Sequence, residues 1–173
     1  QHLDRYGNRP FVGQGYRTPL LRDVLEAFPG VRINIDIKPG VQAAAAVVDV
    51  IRRYGNPGDV LLTSFDDDVR KRLQALNYTG PIGLGKYECI RALLLPKLAI
   101  QSRWRPGTRL QVPPSFGPFK LASHKFISKA HAVGLKVDFW TIDDPTQAKD
   151  LVAMGADGIM SDDLETIAKA IHG

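Results

Sequence analysis

Two hydrophobic periods take turns along this chain. From Pro19 to Phe28 apolar residues recur at helical spacing, and Pro29-Gly30 stops the run. Arg32 to Lys38 then alternates strictly, with Ile33, Ile35 and Ile37 against Asn34, Asp36 and Lys38. That pattern predicts a strand with two differently used faces. Val41 to Tyr54, rich in Ala and Val, predicts a helix closed by Gly55-Asn56-Pro57-Gly58. Val60 to Phe65 reads as a short, mostly apolar strand and Asp66 to Leu76 as a helix with an acidic first turn. Pro81 to Gly85 is a third strand.

The alternation lapses between residues 90 and 120. An apolar run, Ile90 to Ile100, precedes Arg103, Trp104 and Arg105, and a Pro-rich extended piece follows from Leu110 to Pro114. Then the rhythm returns. Ser123 to Val133 predicts a helix, Leu135 to Ile142 a strand, and Pro145 to Met154 a helix capped by Asp143 or Asp144. Gly158 to Ser161 predicts a strand and Leu164 to Ile171 a last helix. Residues 1–18 show neither period and read as loop or arm. The whole, 1–173, is expected to be a single α/β domain of right-handed parallel βαβ units with five sheet strands. Pattern alone does not separate a barrel from an open doubly wound sheet. No Gly-rich dinucleotide loop or P-loop follows any strand, which weakens a nucleotide-binding open sheet.

Composition adds limits. The chain is 44% hydrophobic and 24% charged, ordinary for one globular core. Its 23 Lys+Arg against 18 Asp+Glu give a formal charge of +5. Such a surplus suits anionic substrates or membrane surfaces. The basic residues do not run together, so no nucleic-acid partner is expected. The one cysteine, Cys89, excludes an intramolecular disulfide and a zinc cluster. Ile90 to Ile100 is about half the length that spans a bilayer. The start carries no leader pattern and reads as an internal cut, and the compartment stays open.

In βα folds functional groups sit at the C-terminal ends of strands. Here those ends offer Asp36 and Lys38, Ser64 and Phe65, Gly85, Trp140 and Thr141, and Ser161 and Asp162. Asp36 and Lys38 are the sharpest pair. Residues two apart on a strand face the same way, so Asn34, Asp36 and Lys38 point together, opposite the isoleucines. A carboxylate there can bind a hard cation, and an ammonium beside it can hold a phosphate oxygen. Spacing alone equally allows a neutral internal ion pair. Trp140 is either a substrate wall or a packing residue. Ser161-Asp162-Asp163 reads first as a helix cap, Asp66-Asp67-Asp68 as a helix-start charge run, and His124 and His131 as exposed polar positions.

Four blocks carry a resemblance: FPGVRINIDIKPG, LLTSFDDDV, GLKVDFWTIDDP and GADGIMSDDLETI. In this order and spacing they resemble the glycerophosphodiester phosphodiesterases, over roughly residues 17–173. TPLLRDVLEAFP looks like the helix before that family's fourth strand. The resemblance implies a TIM (β/α)₈ barrel, a divalent metal, Mg²⁺ or Ca²⁺, and hydrolysis of a phosphodiester to a phosphomonoester plus an alcohol. It implies that Asp36, in the place of the family's Glu in a Glu-x-Lys motif, binds the metal, that Lys38 binds the phosphate, and that Trp140 is the substrate-wall tryptophan of strand seven. The family's His-Arg-Gly, Glu-x-Asp and His-Asp motifs do not occur in this sequence. About three first strands and the acid/base histidines are therefore expected upstream, with no catalytic residue in this chain, which alone would be inactive. A barrel needs roughly 250 residues.

The details of PLLRDVLEAFPGVRINIDIK and the insertion at 90–120 look most like the branch with lysophospholipase D-type members, and this resemblance implies a small-molecule or lysophospholipid phosphodiester as substrate. Residues 90–105 are a candidate peripheral membrane contact. The alternatives are a non-catalytic barrel remnant that binds phosphodiesters or a partner chain, and a sugar-phosphate enzyme using Lys38 as a Schiff-base amine.

Overall fold

A computed structural model describes residues 8–9, 12–38, 40–85 and 108–173. Strand β1, Ile33–Asp36, pairs in parallel with β2, Val60–Thr63. Leu62 then bridges Ile82, and Gly83 bridges Arg109, again in parallel. Arg109–Val112 is strand β3, whose next parallel neighbour is Lys136–Phe139. A two-stranded ribbon, β4 at Ser115–Phe116 and β5 at Phe119–Lys120, intervenes in sequence, so Lys136–Phe139 is β6 and Gly158–Ile159 is β7. The parallel run among the described residues is therefore β1, β2, residues 82–83, β3, β6 and β7, six positions rather than the expected five.

The additional strand is β3, inside the Pro-rich piece. Its register, Leu110 against Val137 and Val112 against Phe139, buries both pairs on one face. Pro113-Pro114 ends pairing there, because proline gives the ladder no N–H.

The helices are α1 (Leu21–Ala27), α2 (Gly40–Tyr54), α3 (Asp67–Ala75), α4 (His124–His131), α5 (Pro145–Ala153) and α6 (Leu164–His172). They cover the outer sheet face in two apolar clusters. Ile37, Val60 and Leu62 pack with Leu25 of α1, Val48 and Ile51 of α2, and Val69 and Leu73 of α3. Leu110, Val112, Val137 and Phe139 pack with Ile127 of α4, Leu151 of α5 and Ile167 of α6. Asp144 and Asp163, read as helix caps, do cap, accepting from the Gln147 and Thr166 amides, and Asp66, read only as part of a helix-start charge run, caps α3 by accepting from the Asp68 amide.

The opposite face is the interior. The Asn34 amide of β1 reaches Met160 Sδ, just past β7, at 3.5 Å. These strands stand at the two ends of the six-position run, so the sheet curls until its ends meet across the inner face. That is barrel curvature. Glycines make room inside: a Cβ on Gly83 would lie 2.5 Å from Thr63 Cγ2, and one on Gly158 2.5 Å from Asp138 Oδ1.

Candidate functional site

Parallel strands put all their C-terminal ends at one end of the sheet. Asp36 closes β1 there and Lys38 follows two residues on. The Lys38 Nζ lies 3.5 Å from Asp36 Oδ2, and the two side chains are 82% and 34% exposed. The intervening Ile37 is 3% exposed in the outer core. The alternation thus does what the pattern predicted: the isoleucines pin the strand and leave carboxylate and ammonium together on the inner side. A solvent-exposed ion pair adds between 0 and about 1 kcal/mol to stability. This pair is therefore no packing device, and both charges remain open to a ligand.

Trp140 follows β6 and is half-buried. Its backbone N–H donates to the Val112 carbonyl at 3.1 Å, which seats it at the end of β3 as well. Its indole meets the Phe65 ring edge-on, centroids 6.2 Å apart and planes at 79°. Phe65 hangs off the end of β2 with 67% of its surface exposed. The two rings form an aromatic wall at the same end as Asp36 and Lys38. Sequence reasoning named both residues as strand ends but did not join them, because strands three positions apart in the sheet meet only when it curls.

The other strand-end candidates serve the frame. Ser64 is buried, donates to the Ile37 carbonyl at 2.7 Å and accepts from the Asp66 amide at 3.1 Å. Ser161 donates to Asp143 at 2.7 Å, and Asp143 also accepts the Asp162 amide at 2.9 Å. These bonds, Ser161 first, hold the Asp143 carboxyl below the usual range. Gly85 is buried and Thr141 exposed. His124 lies against Ser128, and His131 bonds Asp157 at 2.7 Å. Residues 90–105, the candidate membrane contact, lie outside the described residues.

Below the aromatic wall sits a group that sequence reasoning missed. Arg109 of β3 donates to both oxygens of Asp138 of β6, and Gln111 adds a bond to Asp138 at 3.3 Å. Asp138 is 4% exposed. The hydrogen bond to Asp138 raises the Arg109 guanidinium against the lowering effect of burial. Strict alternation about Asp138 (Val137 and Phe139 outward) was the available signal. The partner strand β3 is only four residues long and runs into two prolines, too short for a period that would assign the pair from sequence.

A cavity of about 390 Å³ opens at the other end of the strands, between Phe28, Pro29, Tyr54, Asn56 and Asp59. It holds no candidate residue, as expected for the stability end of a βα barrel. Among the described residues no three His, Cys, Asp or Glu gather as a metal cage, and no helix is long and apolar enough to cross a membrane.

The model of the glycerophosphoryl diester phosphodiesterase family matches residues 1–166. The chain belongs to this family. It is 31% identical over 156 residues to a probable glycerophosphodiester phosphodiesterase 2 of Mycobacterium tuberculosis, covering 87% of this chain and 59% of that protein. It is 27% identical over 169 residues to a glycerophosphodiester phosphodiesterase of Caldanaerobacter subterraneus subsp. tengcongensis, covering 91% and 63%. The chain thus spans about three fifths of these relatives. The fold resembles the glycerophosphodiester phosphodiesterase of Agrobacterium tumefaciens, with TM-score 0.67, 19% identity and 90% and 62% of the two chains covered. It also resembles an Oleispira antarctica phosphodiesterase solved with the product sn-glycerol-3-phosphate, with TM-score 0.59, 22% identity, and 81% and 55% covered. These neighbours are TIM barrels, and the curled parallel sheet of this glycerophosphoryl diester phosphodiesterase family member is part of that fold class.

Proposed function

We propose that this chain supplies the Asp36–Lys38 side of a phosphodiester site, in a protein that hydrolyses a glycerophosphodiester or lysophospholipid to a phosphomonoester and an alcohol. The observation that carries this reading is the exposed pair at 3.5 Å on the inner face of β1. Family membership and the names of the relatives support it.

In this reading Lys38 holds a phosphoryl oxygen as a point charge. Asp36 offers hard oxygen donors, which suit Mg²⁺ or Ca²⁺. Mg²⁺ commonly takes only one or two carboxylates beside substrate phosphates. One open carboxylate beside a phosphate-binding ammonium therefore fits part of such a donor set. When bound, the cation would neutralise charge on the phosphoryl oxygens. The Phe65–Trp140 wall would flank the organic part of the substrate and keep water from that side. His124 and His131 sit on α4 against Ser128 and Asp157, so the acid/base work is assigned to groups outside the described residues. Strands outside the described residues would close the barrel, and residues 90–105 would add a lipid-facing lip.

The test is release of a phosphomonoester from glycerophosphocholine by the complete protein with Mg²⁺ or Ca²⁺. The reading expects turnover that a chelator abolishes and either metal restores. Binding of the diester with no turnover in either metal would instead indicate a non-catalytic barrel.

A further inference from the structure

We propose that the β4–β5 hairpin docks the protein onto an anionic lipid bilayer, with Phe116 and Phe119 as its apolar tip. The hairpin leaves the C-terminal end of β3, the same end that carries Asp36, Lys38 and the aromatic wall. Phe116 and Phe119 stand directly opposite each other across the ribbon. Directly opposed side chains share a face, so the two rings form one patch. Gly117, with φ +55°, and Pro118 make the two-residue turn between them. The rings are 47% and 55% exposed, although a large apolar side chain gains by leaving water. Paired exposed phenylalanines on a short ribbon are costly unless something covers them.

Charge says what covers them. From Cys89 to Val137 the chain carries nine Lys and Arg and no Asp or Glu. The rest holds 14 basic against 18 acidic residues. Within the stretch Arg91, Lys97, Arg103 and Arg105 lie outside the described residues, Arg109 is held by Asp138 and Lys136 by Asp157, so the described cations beside the hairpin in the chain are Lys120 and Lys125. Lys120 ends the ribbon and Lys125 lies in the first turn of α4, both exposed. Apolar rings flanked by lysines match a headgroup region, with rings at the acyl boundary and ammonium groups on lipid phosphates. Asp143, Asp144, Asp162 and Asp163, on the neighbouring β6 and β7 loops, would be repelled by the same surface. The surface lies outside residues 90–105, and its lipid contact requires no catalysis.

The experiment is flotation of the complete protein with vesicles of phosphatidylcholine containing roughly a third phosphatidylserine, against pure phosphatidylcholine. Wild type is expected to bind the anionic vesicles and to leave them at high salt. Phe116→Ser/Phe119→Ser is expected to lose about tenfold or more in partition. Phe28→Ser, at an exposed ring on the other end of the strands, is expected to bind as wild type does. Circular dichroism confirms that both variants are folded. Absence of vesicle binding overturns the proposal. So does equal binding by the hairpin variant, or binding only to a single-stranded DNA probe. Vesicle binding is read without turnover, so failure here and failure of the hydrolytic reading are distinguishable.

Discussion

Two aspartates on the inner sheet face, Asp36 and Asp138, hold ion pairs of opposite character. Asp138 is 4% exposed and gripped by Arg109 and Gln111, whereas the Asp36–Lys38 pair is open to solvent. Breaking a buried pair strands a charge, at a cost of about 3–5 kcal/mol, while an exposed pair contributes at most about 1 kcal/mol. Asp138→Ala should therefore lower the urea midpoint strongly, and Asp36→Ala should scarcely move it. Equal losses in the two variants would contradict this division of labour. In the proposed reading the exposed Asp36 serves a ligand rather than the fold. The buried Asp138, held by three bonds, belongs to the barrel floor.

Contacts between elements give a second expectation. Asp157, just before β7, accepts from the Val137 amide at 2.8 Å, bonds His131 of α4 at 2.7 Å and faces Lys136 at 3.7 Å. Burial raises its carboxyl, but these partners outweigh burial and hold it below the usual range. A carboxyl depressed in the folded state adds stability above its unfolded value, about 3.9, and loses it as pH falls through the folded value. Urea midpoints between pH 6 and pH 3 should fall less in Asp157→Asn than in wild type. An unchanged acid limb in that variant would show that the clamp contributes nothing. The elements themselves were largely legible. Strong periodicity marked β1, α2, β6 and the helix caps within a few residues, because alternation and capping are local properties. The missed β3 shows the limit: four residues between an irregular stretch and two prolines carry too little period. Only pairing with β6 defines them as strand. The hairpin was hidden for the same reason, its two-residue strands being too short for any period.

At the scale of the molecule, the sequence pattern left barrel and open sheet undivided, and family motifs were needed to favour the barrel. The Asn34–Met160 contact shows the curl in this chain itself. The candidate site was legible as separate strand ends, since the end of each strand is local information. That Phe65 and Trp140 touch, and that Arg109 finds Asp138, depends on the curvature of the sheet and could not be read residue by residue. The central claim is that the open Asp36–Lys38 pair grips a cation and a phosphoryl oxygen during hydrolysis. The most direct measurement is kcat of the complete protein carrying Asp36→Ala, with glycerophosphocholine and saturating Mg²⁺ or Ca²⁺. The account predicts a fall of about a hundredfold or more with circular dichroism unchanged. A folded Asp36→Ala protein with wild-type kcat would contradict it.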